Sequence, residues 1–447
     1  MSNAMKLAGK DLESPEKRKE YPVCVVGSGR TSLVTACLFA EAGFNVVAVD
    51  SSSHTVHQLK KGKSPFTETE LRKQIERYTK AGRFTATTNL RKAVSESTII
   101  TVCIQPTLDR KKKPDYSRLE KTCREVGMSL NAGSIIIIQT TTGPGVTETV
   151  AKETLENASG LEAGTNFGIA YASTLNNSTH SKTANPTKIV GGITKRSQKV
   201  ACHILETVTK GEIIRVKDIK TAEAVKLLEE AYRDVNTAFT NEFARFCEKA
   251  EIDFLKVCSI VDPKASRIAG LNLSRDSHFL VEEAEAVDVK LRMLTLATKI
   301  NDETLDHAIR LVRGALKECQ KTIRRSKIVV FGISSTPNKK RANNSAAKKL
   351  VKLLQKRGVA VKVYDPFFSH KELIDMGYNT EPTISKTVEG TDLLIIAVAH
   401  ERFSRLNLRR MQMLMKQPAA LVDMEQVVDP AKAENAGFVY YGFGRGK

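Results

Sequence analysis

Pro22-Val23-Cys24-Val25-Val26-Gly27-Ser28-Gly29-Arg30-Thr31-Ser32 reads as a short β-branched strand that breaks into a glycine-bearing turn, and helical spacing takes over from residues 33 to 43. A second run, Asn45 to Asp50, follows and ends on an acid. Strand, turn, helix and strand in that order make one βαβ unit. Gly27, Ser28 and Gly29 permit a tight turn and the close approach of a pyrophosphate to the helix N-terminus. Ser32 stands where a third glycine is usual, and its small side chain still lets helix and strand pack closely. Asp50, about 20 residues beyond the motif, can accept hydrogen bonds from a ribose 2′-hydroxyl, which selects NAD over NADP. Arg30 and Thr31 lie in the same loop; Arg30 can touch phosphate or point to water.

Outward from this unit, strands are expected at Thr98 to Ile104, Ser134 to Gln139 and Lys188 to Val190, each flanked by helix-like stretches. That pattern predicts a doubly wound parallel sheet of the Rossmann kind, with Gln105 just past one strand as a further cofactor contact. From about Lys217 the pattern becomes a long helix, with Ala224, Leu227, Leu228, Ala231, Val235 and Phe239 on one stripe, and more helix follows to about Cys319. A new strand begins at Lys327, a helix covers Ser345 to Arg357, and strands return at Val359 to Tyr364, Asp392 to Ala397 and Ala420 to Asp423. The fold class is therefore α/β: two Rossmann-like doubly wound domains joined by a long-helix central domain. The division expected is 1–20 as a cloning remnant and polar lead, 21–212 as the NAD-binding domain, 213–322 as the central helical domain, and 323–447 as a second α/β domain that binds the nucleotide sugar.

A chain of 447 residues is too long for one small module, and with 41% apolar and 27% charged residues it has ordinary globular composition. No apolar run approaches the roughly 20 residues a membrane span needs, so no membrane partner is expected. The 70 Lys and Arg against 50 Asp and Glu leave a net +20, which points to anionic ligands. Nucleic acid is not expected, because there is no Trp and no aromatic side chain is interleaved with the basic clusters. Eight scattered cysteines without a CxxC pair read as reduced, buried, cytoplasmic thiols, and no ligand spacing suggests a metal.

Further motifs carry a resemblance. Gly62-Lys63-Ser64-Pro65 with Glu68, Lys113-Pro114-Asp115, Thr140-Thr141 with Pro144-Gly145-Val146-Thr147-Glu148, and Ala231-Tyr232-Arg233-Asp234-Val235-Asn236 with Asn241-Glu242 occur in order. Tyr364-Asp365-Pro366, His400 with Phe403, and Gly442-Phe443-Gly444-Arg445-Gly446 continue the series. Together they resemble the nucleotide-sugar 6-dehydrogenases: the UDP-glucose, GDP-mannose and UDP-N-acetylmannosamine dehydrogenases, the last being the nearest in feel. The resemblance implies oxidation of a sugar's primary alcohol to a carboxylate with two NAD, through a base, a hydride path and a cysteine that holds the aldehyde. It also implies a homodimer built on the long helices.

At the positions that carry this chemistry the chain departs from the family. The segment that normally supplies the cysteine aligns with Ala269-Gly270-Leu271-Asn272-Leu273-Ser274-Arg275-Asp276, so Asn272 occupies the thiol position, and no cysteine lies between Cys258 and Cys319. The family's Pro-Glu aligns with Ser173-Thr174. Its Lys with an Asn four residues on becomes Lys226 and Glu230, one turn apart, where the acid can pair with the lysine and oppose its use as a base. Its sugar-nucleotide segment in the second α/β domain reads Ser335 to Asn343, with Lys339, Lys340 and Arg341 as the remaining cations. Thr141, Lys226 and Asp276 survive as catalytic candidates by resemblance. Thr141 can equally cap its turn, Asp276 can be a loop acid, and His278 can be a replacement acid or an exposed bystander.

Three readings follow. One is an NAD-dependent nucleotide-sugar dehydrogenase homologue with an impaired site; another is a two-electron oxidoreductase on a different anionic alcohol, with Lys226 moving the proton; the third is a non-catalytic binder of NAD or a nucleotide sugar. The charge has an address: Gln320 to Tyr364 holds Lys or Arg at 321, 324, 325, 327, 339, 340, 341, 348, 349, 352, 356, 357 and 362 and no Asp or Glu, in the domain where the resembling enzymes hold the nucleotide sugar.

Overall fold

The computed structural model describes residues 7, 9–66, 68–109, 112–175, 187–261, 277–342 and 345–445. The chain forms two compact units, Met1–Ala231 with Arg275–Lys290 and Tyr232–Ser274 with Leu291–Lys447.

The first unit contains β1 (Val23–Val26), β2 (Val46–Val49), β3 (Phe84–Thr87), β4 (Ile99–Val102), the short β5 (Thr107–Leu108) and β6 (Pro114–Asp115), β7 (Ile135–Ile138), β8 (Gly168–Thr174), β9 (Lys188–Gly192) and β10 (Ile213–Arg215). Eight of these form one sheet in the order β10-β9-β8-β7-β4-β1-β2-β3. Every residue of β1, β4 and β7 is buried, as expected of parallel strands covered on both faces. Helix α1 (Arg30–Glu41) and helix α2 (Lys195–Val208) bury Leu33, Ala36, Phe39, Ala201 and Ile204 against one face. Ile219 and Ala222, from the start of the long helix α3 (Ile219–Lys249), join Ile136, Ile138 and Tyr171 on the other.

Two strands depart from the parallel expectation, β9 and the β10 that pairs parallel to it. β9 runs antiparallel to β8, with Lys188 opposite Thr174 and Val190 opposite Ala172. The Leu175 N–H reaches the Thr187 carbonyl at 3.0 Å, so the two strands meet as a hairpin, whereas a parallel pair needs a longer crossover, usually helical. The reversal puts Lys188 at the C-terminal edge of β8.

Helix α4 (Ser277–Glu285) also belongs to the first unit, and helices α5 (Arg292–Glu318) and α6 (Ala346–Lys356) to the second. The second unit's sheet is parallel throughout, in the order β12 (Ala360–Tyr364), β11 (Lys327–Phe331), β13 (Leu393–Ile396), β14 (Ala419–Asp423), β15 (Phe438–Gly442). Ala308, Val312 and Leu316 of α5 pack on Ile328, Val330 and Ile395 of this sheet. A polar tie holds the end of the chain there: the Gly444 N–H donates to Glu248 Oε1 at 2.7 Å, and Glu248 pairs with His307 at 2.9 Å. All eight cysteines are free and buried. Among the described residues no helix is long and apolar enough to cross a membrane.

Candidate functional site

The turn after β1 has the geometry its glycines suggest. Gly27 sits at φ +113°, and a Cβ there would meet Ser32 Oγ at 3.0 Å and the Cys103 carbonyl oxygen at 3.1 Å. Gly29 is the N-cap of α1, and no side chain caps that helix, so its first-turn N–H groups face the loop. Asp50 closes β2, its carboxylate taking the Ser28 hydroxyl and, at 2.7 Å, the Ser52 N–H. Side chains and backbone thus leave a cradle in which a diphosphate fits the helix N-terminus and a ribose diol fits Asp50. Arg30, open at the sequence level, is tied to Glu68 by a 2.6 Å ion pair. Thr31 and Gln105 are exposed at the same edge.

Beyond β7 the loop Thr140 to Thr147 is held by a residue that sequence reasoning missed. Glu223, fully buried on α3, accepts the Thr142 hydroxyl at 2.8 Å, the Gly145 N–H at 2.6 Å and the Thr147 N–H at 3.0 Å. Burial pushes its carboxyl above the usual value, and the hydrogen bonds from Thr147, Gly145 and Thr142 work against that shift. The signal was present as an acid on the apolar face Ile219, Ala222, Leu227. The same loop meets Tyr116, whose hydroxyl accepts the Gly143 N–H at 2.9 Å, and Glu283 of α4, whose carboxylate a Cβ at Gly143 would overlap. Burial and the neighbouring Glu282 push the Glu283 carboxyl upward, with Lys220 opposing. Thr141 is half-buried in this loop.

Lys226 follows Glu223 by three residues and is 8% exposed. Its Nζ lies 2.7 Å from Glu230 Oε1 and 2.9 Å from Glu229 Oε2. Burial opposes its charge, but Glu230 and Glu229 outweigh burial and hold its pKa above the ordinary lysine value. A lysine so held is a fixed cation that can orient an anion, and it is a poor proton acceptor.

In the second unit the three cations separate. Lys340 pairs with Glu372 and lies over the Phe368 ring at 5.3 Å from its centre, whereas Lys339 and Arg341 are exposed. Their loop is anchored from beneath: His400 Nδ1 accepts the Asn338 N–H at 2.9 Å, and His400 Nε2 donates to Asp365 Oδ2 at 3.2 Å. Asp365 Oδ2 also takes the Ile333 N–H at 2.8 Å and the Ser334 N–H at 3.1 Å. The sequence positions of Asn272 and Asp276 lie outside the described residues. His278 is half-buried in the first turn of α4.

Three sequence patterns match this chain in tandem: the NAD binding domain of the UDP-glucose/GDP-mannose dehydrogenase family over residues 21–209, its central domain over 220–303 and its UDP binding domain over 329–430. The chain belongs to the UDP-glucose/GDP-mannose dehydrogenase family. Among its relatives is a UDP-N-acetyl-D-mannosamine dehydrogenase of Pyrococcus horikoshii, 26% identical over 434 residues, covering 95% of this chain and 99% of the relative. Another of the same name, from Methanocaldococcus jannaschii, is 28% identical over 439 residues, covering 95% and 97%. The solved structure of the UDP-D-ManNAc dehydrogenase from Pyrococcus horikoshii superposes with a TM-score of 0.82 at 25% identity, covering 95% of this chain and 99% of that one. Membership of the UDP-glucose/GDP-mannose dehydrogenase family makes NAD the cofactor of the first unit and a nucleotide-linked sugar the class of ligand for the second.

Proposed function

We propose that this member of the family oxidises a UDP-sugar at C6 with NAD, through an active site altered because Asn272 stands where a cysteine would hold the aldehyde. Its relatives named UDP-N-acetyl-D-mannosamine dehydrogenase make UDP-N-acetylmannosamine the first substrate to try. The observation that carries the reading is the glycine cradle with Asp50 at the head of a chain that matches all three family domains. Bound NAD supplies the hydride acceptor. In this reading Gly27, Ser28, Gly29, Thr31, Asp50 and Gln105 seat the cofactor, and Arg30 shapes the loop through Glu68. Thr141 orients nicotinamide or substrate. Lys226, fixed by Glu229 and Glu230, holds an anionic group in place, and Asp276 lies beside Asn272 in sequence. Lys339 and Arg341 meet the nucleotide phosphates.

The lysine's two carboxylate partners speak against Lys226 as the proton acceptor of a two-electron enzyme. The domain assignment that goes with the proposal is 21–212 for NAD, 213–322 for the central helices and 323–447 for the nucleotide sugar. A cytoplasmic homodimer completes it, supported by eight free buried thiols and by the exposed apolar side chains Tyr232, Phe239 and Phe246, seven residues apart on α3. The test is NADH formation with a panel of UDP- and GDP-sugars at known enzyme concentration. Slow turnover, or one NADH per sugar, is expected; brisk turnover with two NADH per sugar overturns the altered-site reading, and binding without any turnover favours a non-catalytic binder.

A further inference from the structure

Lys188 is a buried amine that the site described above does not use. It is 6% exposed, and its Nζ donates to Thr174 Oγ1 at 3.2 Å. Among the described residues no carboxylate pairs with it, and the segment Leu175 to Thr187 that precedes it contains no Asp or Glu. Lysine is almost never fully buried without a partner, so such a residue signals a site that something else completes.

Its position says what completes it. The cofactor crosses the C-terminal edge of the sheet in a fixed direction: Asp50 at β2 takes the adenosine ribose and the Gly27 loop at β1 takes the diphosphate, so the nicotinamide half extends over β4, β7 and β8. Along that edge the pairs Val26 with Val102 and Val102 with Ile138 bring Gly27, Cys103 and Gln139 to one level. Thr141 lies three residues past Ile138, as Thr174 lies three past Tyr171, the partner of Ile138. Lys188 stands opposite Thr174 because β9 runs backwards. Its charge is felt at the Cys103 thiol, and the Cys103 carbonyl accepts the Ser32 hydroxyl from the first turn of α1 at 3.4 Å.

We propose that Lys188 is the charge-sensing residue of the cofactor crevice, a buried cation beside the nicotinamide half that favours the neutral ring of NADH over the positively charged ring of NAD⁺. The inference rests on NAD binding at the Gly27 loop. Burial holds the Lys188 amine below the ordinary lysine value, with Cys103 opposing weakly. NADH brings two uncompensated diphosphate charges, so its binding raises the lysine's affinity for a proton; NAD⁺ carries a ring charge that offsets one of them.

The surroundings leave few competing groups. From β4 the titratable neighbour is Cys103, whose thiol burial pushes to about 12 and keeps protonated. β8 contributes Thr174, and its Tyr171 packs on the opposite face of the sheet. The charged residues Lys195, Arg196, Lys199 and Glu206 of α2 are exposed, as are Glu212 and Arg215 at β10, and His203 of α2 is half-buried. α1 packs Leu33, Ala36, Cys37 and Phe39 on this face, and burial pushes the Cys37 thiol to about 12 as well.

Calorimetric titration of the full-length protein with NADH and with NAD⁺ tests this, in buffers of different ionisation enthalpy from about pH 6 to about pH 10, which brackets the range below an ordinary lysine pKa. Wild type is expected to bind NADH more tightly than NAD⁺ and to take up a proton as NADH binds. Lys188→Met is expected to shrink the NADH preference by about tenfold, the equivalent of one pKa unit, and to abolish the uptake. Lys188→Arg, charged but not titrating, is expected to keep the preference and lose the uptake. Thermal melting checks each fold, and the Met variant, freed of a buried charge, is expected to melt no lower than wild type. Equal preference and equal uptake in wild type and Lys188→Met overturn the assignment while NAD binding stands. Wild type that binds neither nucleotide overturns both the assignment and the cofactor reading beneath it.

Discussion

Lys226 and Glu230 form a buried ion pair of 2.7 Å one turn apart on α3, and Glu229 closes on the same Nζ at 2.9 Å. Lys226→Ala leaves two carboxylates facing each other out of water, and is expected to cost about 2–4 kcal/mol in urea denaturation. Because the folded lysine's pKa is raised, the pair's contribution is complete below the unfolded lysine value of about 10.4 and is lost only as pH rises through the higher folded value. The difference between wild type and variant should therefore stay flat from about pH 6 to about pH 9. A difference that vanishes near neutrality would show a lysine free to act as a base.

Glu223 carries three hydrogen bonds from the Thr142 to Thr147 loop. In Glu223→Gln one acceptor becomes an amide that meets the donors Gly145 N–H or Thr147 N–H, so a loss of about 2 kcal/mol is expected. Hydrogen exchange at the Gly145 and Thr147 amides should speed up by about tenfold or more, the equivalent of 1.4 kcal/mol. Because the folded carboxyl is raised, wild-type stability from this group is greatest below the ordinary glutamate value and declines as pH rises through the folded one. The cost of the Gln variant should shrink accordingly across that window.

Gly27→Ala must place a Cβ 3.0 Å from Ser32 Oγ at φ +113°. A loss of about 1–2 kcal/mol is expected from backbone strain. NADH binding, read by fluorescence, should weaken by at least tenfold, while UDP binding to the second unit is unchanged. Unaltered NADH affinity would remove the loop from the cofactor site.

His400→Ala strands the Asn338 N–H and removes one of the donors to the fully buried Asp365, whose Oδ2 keeps the Ile333 and Ser334 N–H groups. The expected cost is about 3 kcal/mol. Burial raises the Asp365 carboxyl, but His400 and the Phe367 and Ile333 N–H groups prevail and hold it below the usual aspartate range. That stability is present above the unfolded aspartate pKa and lost as pH falls through the folded value, so the variant's deficit should narrow only in acid. Sugar-nucleotide affinity should drop with NADH affinity intact, because the loop of Lys339 and Arg341 loses its anchor.

Phe239→Asp puts a charge in the exposed stripe of Tyr232, Phe239 and Phe246. Sedimentation should show the proposed dimer reduced to monomer. A wild type that sediments as a monomer at micromolar concentration sinks the dimer proposal outright.

Much of the fold was legible because the signals are local. β1, α1 and β2 follow from β-branched runs, a glycine turn and helical spacing within about thirty residues. Asp50 followed from its distance along the chain. The Lys226–Glu230 contact followed from one helical turn. What stayed illegible depends on neighbours far away in sequence. The pairing of Arg30 with Glu68 is long-range, and so is the anchoring of the Lys339 to Arg341 loop by His400 and Asp365.

By itself the sequence determined two α/β halves around long helices, a dinucleotide loop with its terminal acid and a basic second domain, since each is a matter of residue type and short-range period. Only the tertiary structure decided the direction of β9. A run of Lys-Ile-Val has the same period whichever way it lies in a sheet, and nothing in it says that Leu175 and Thr187 meet. Parallel to β8, Lys188 would open its strand at the edge away from the cofactor; antiparallel, it faces Thr174 at the C-terminal edge and brings a buried amine to the crevice.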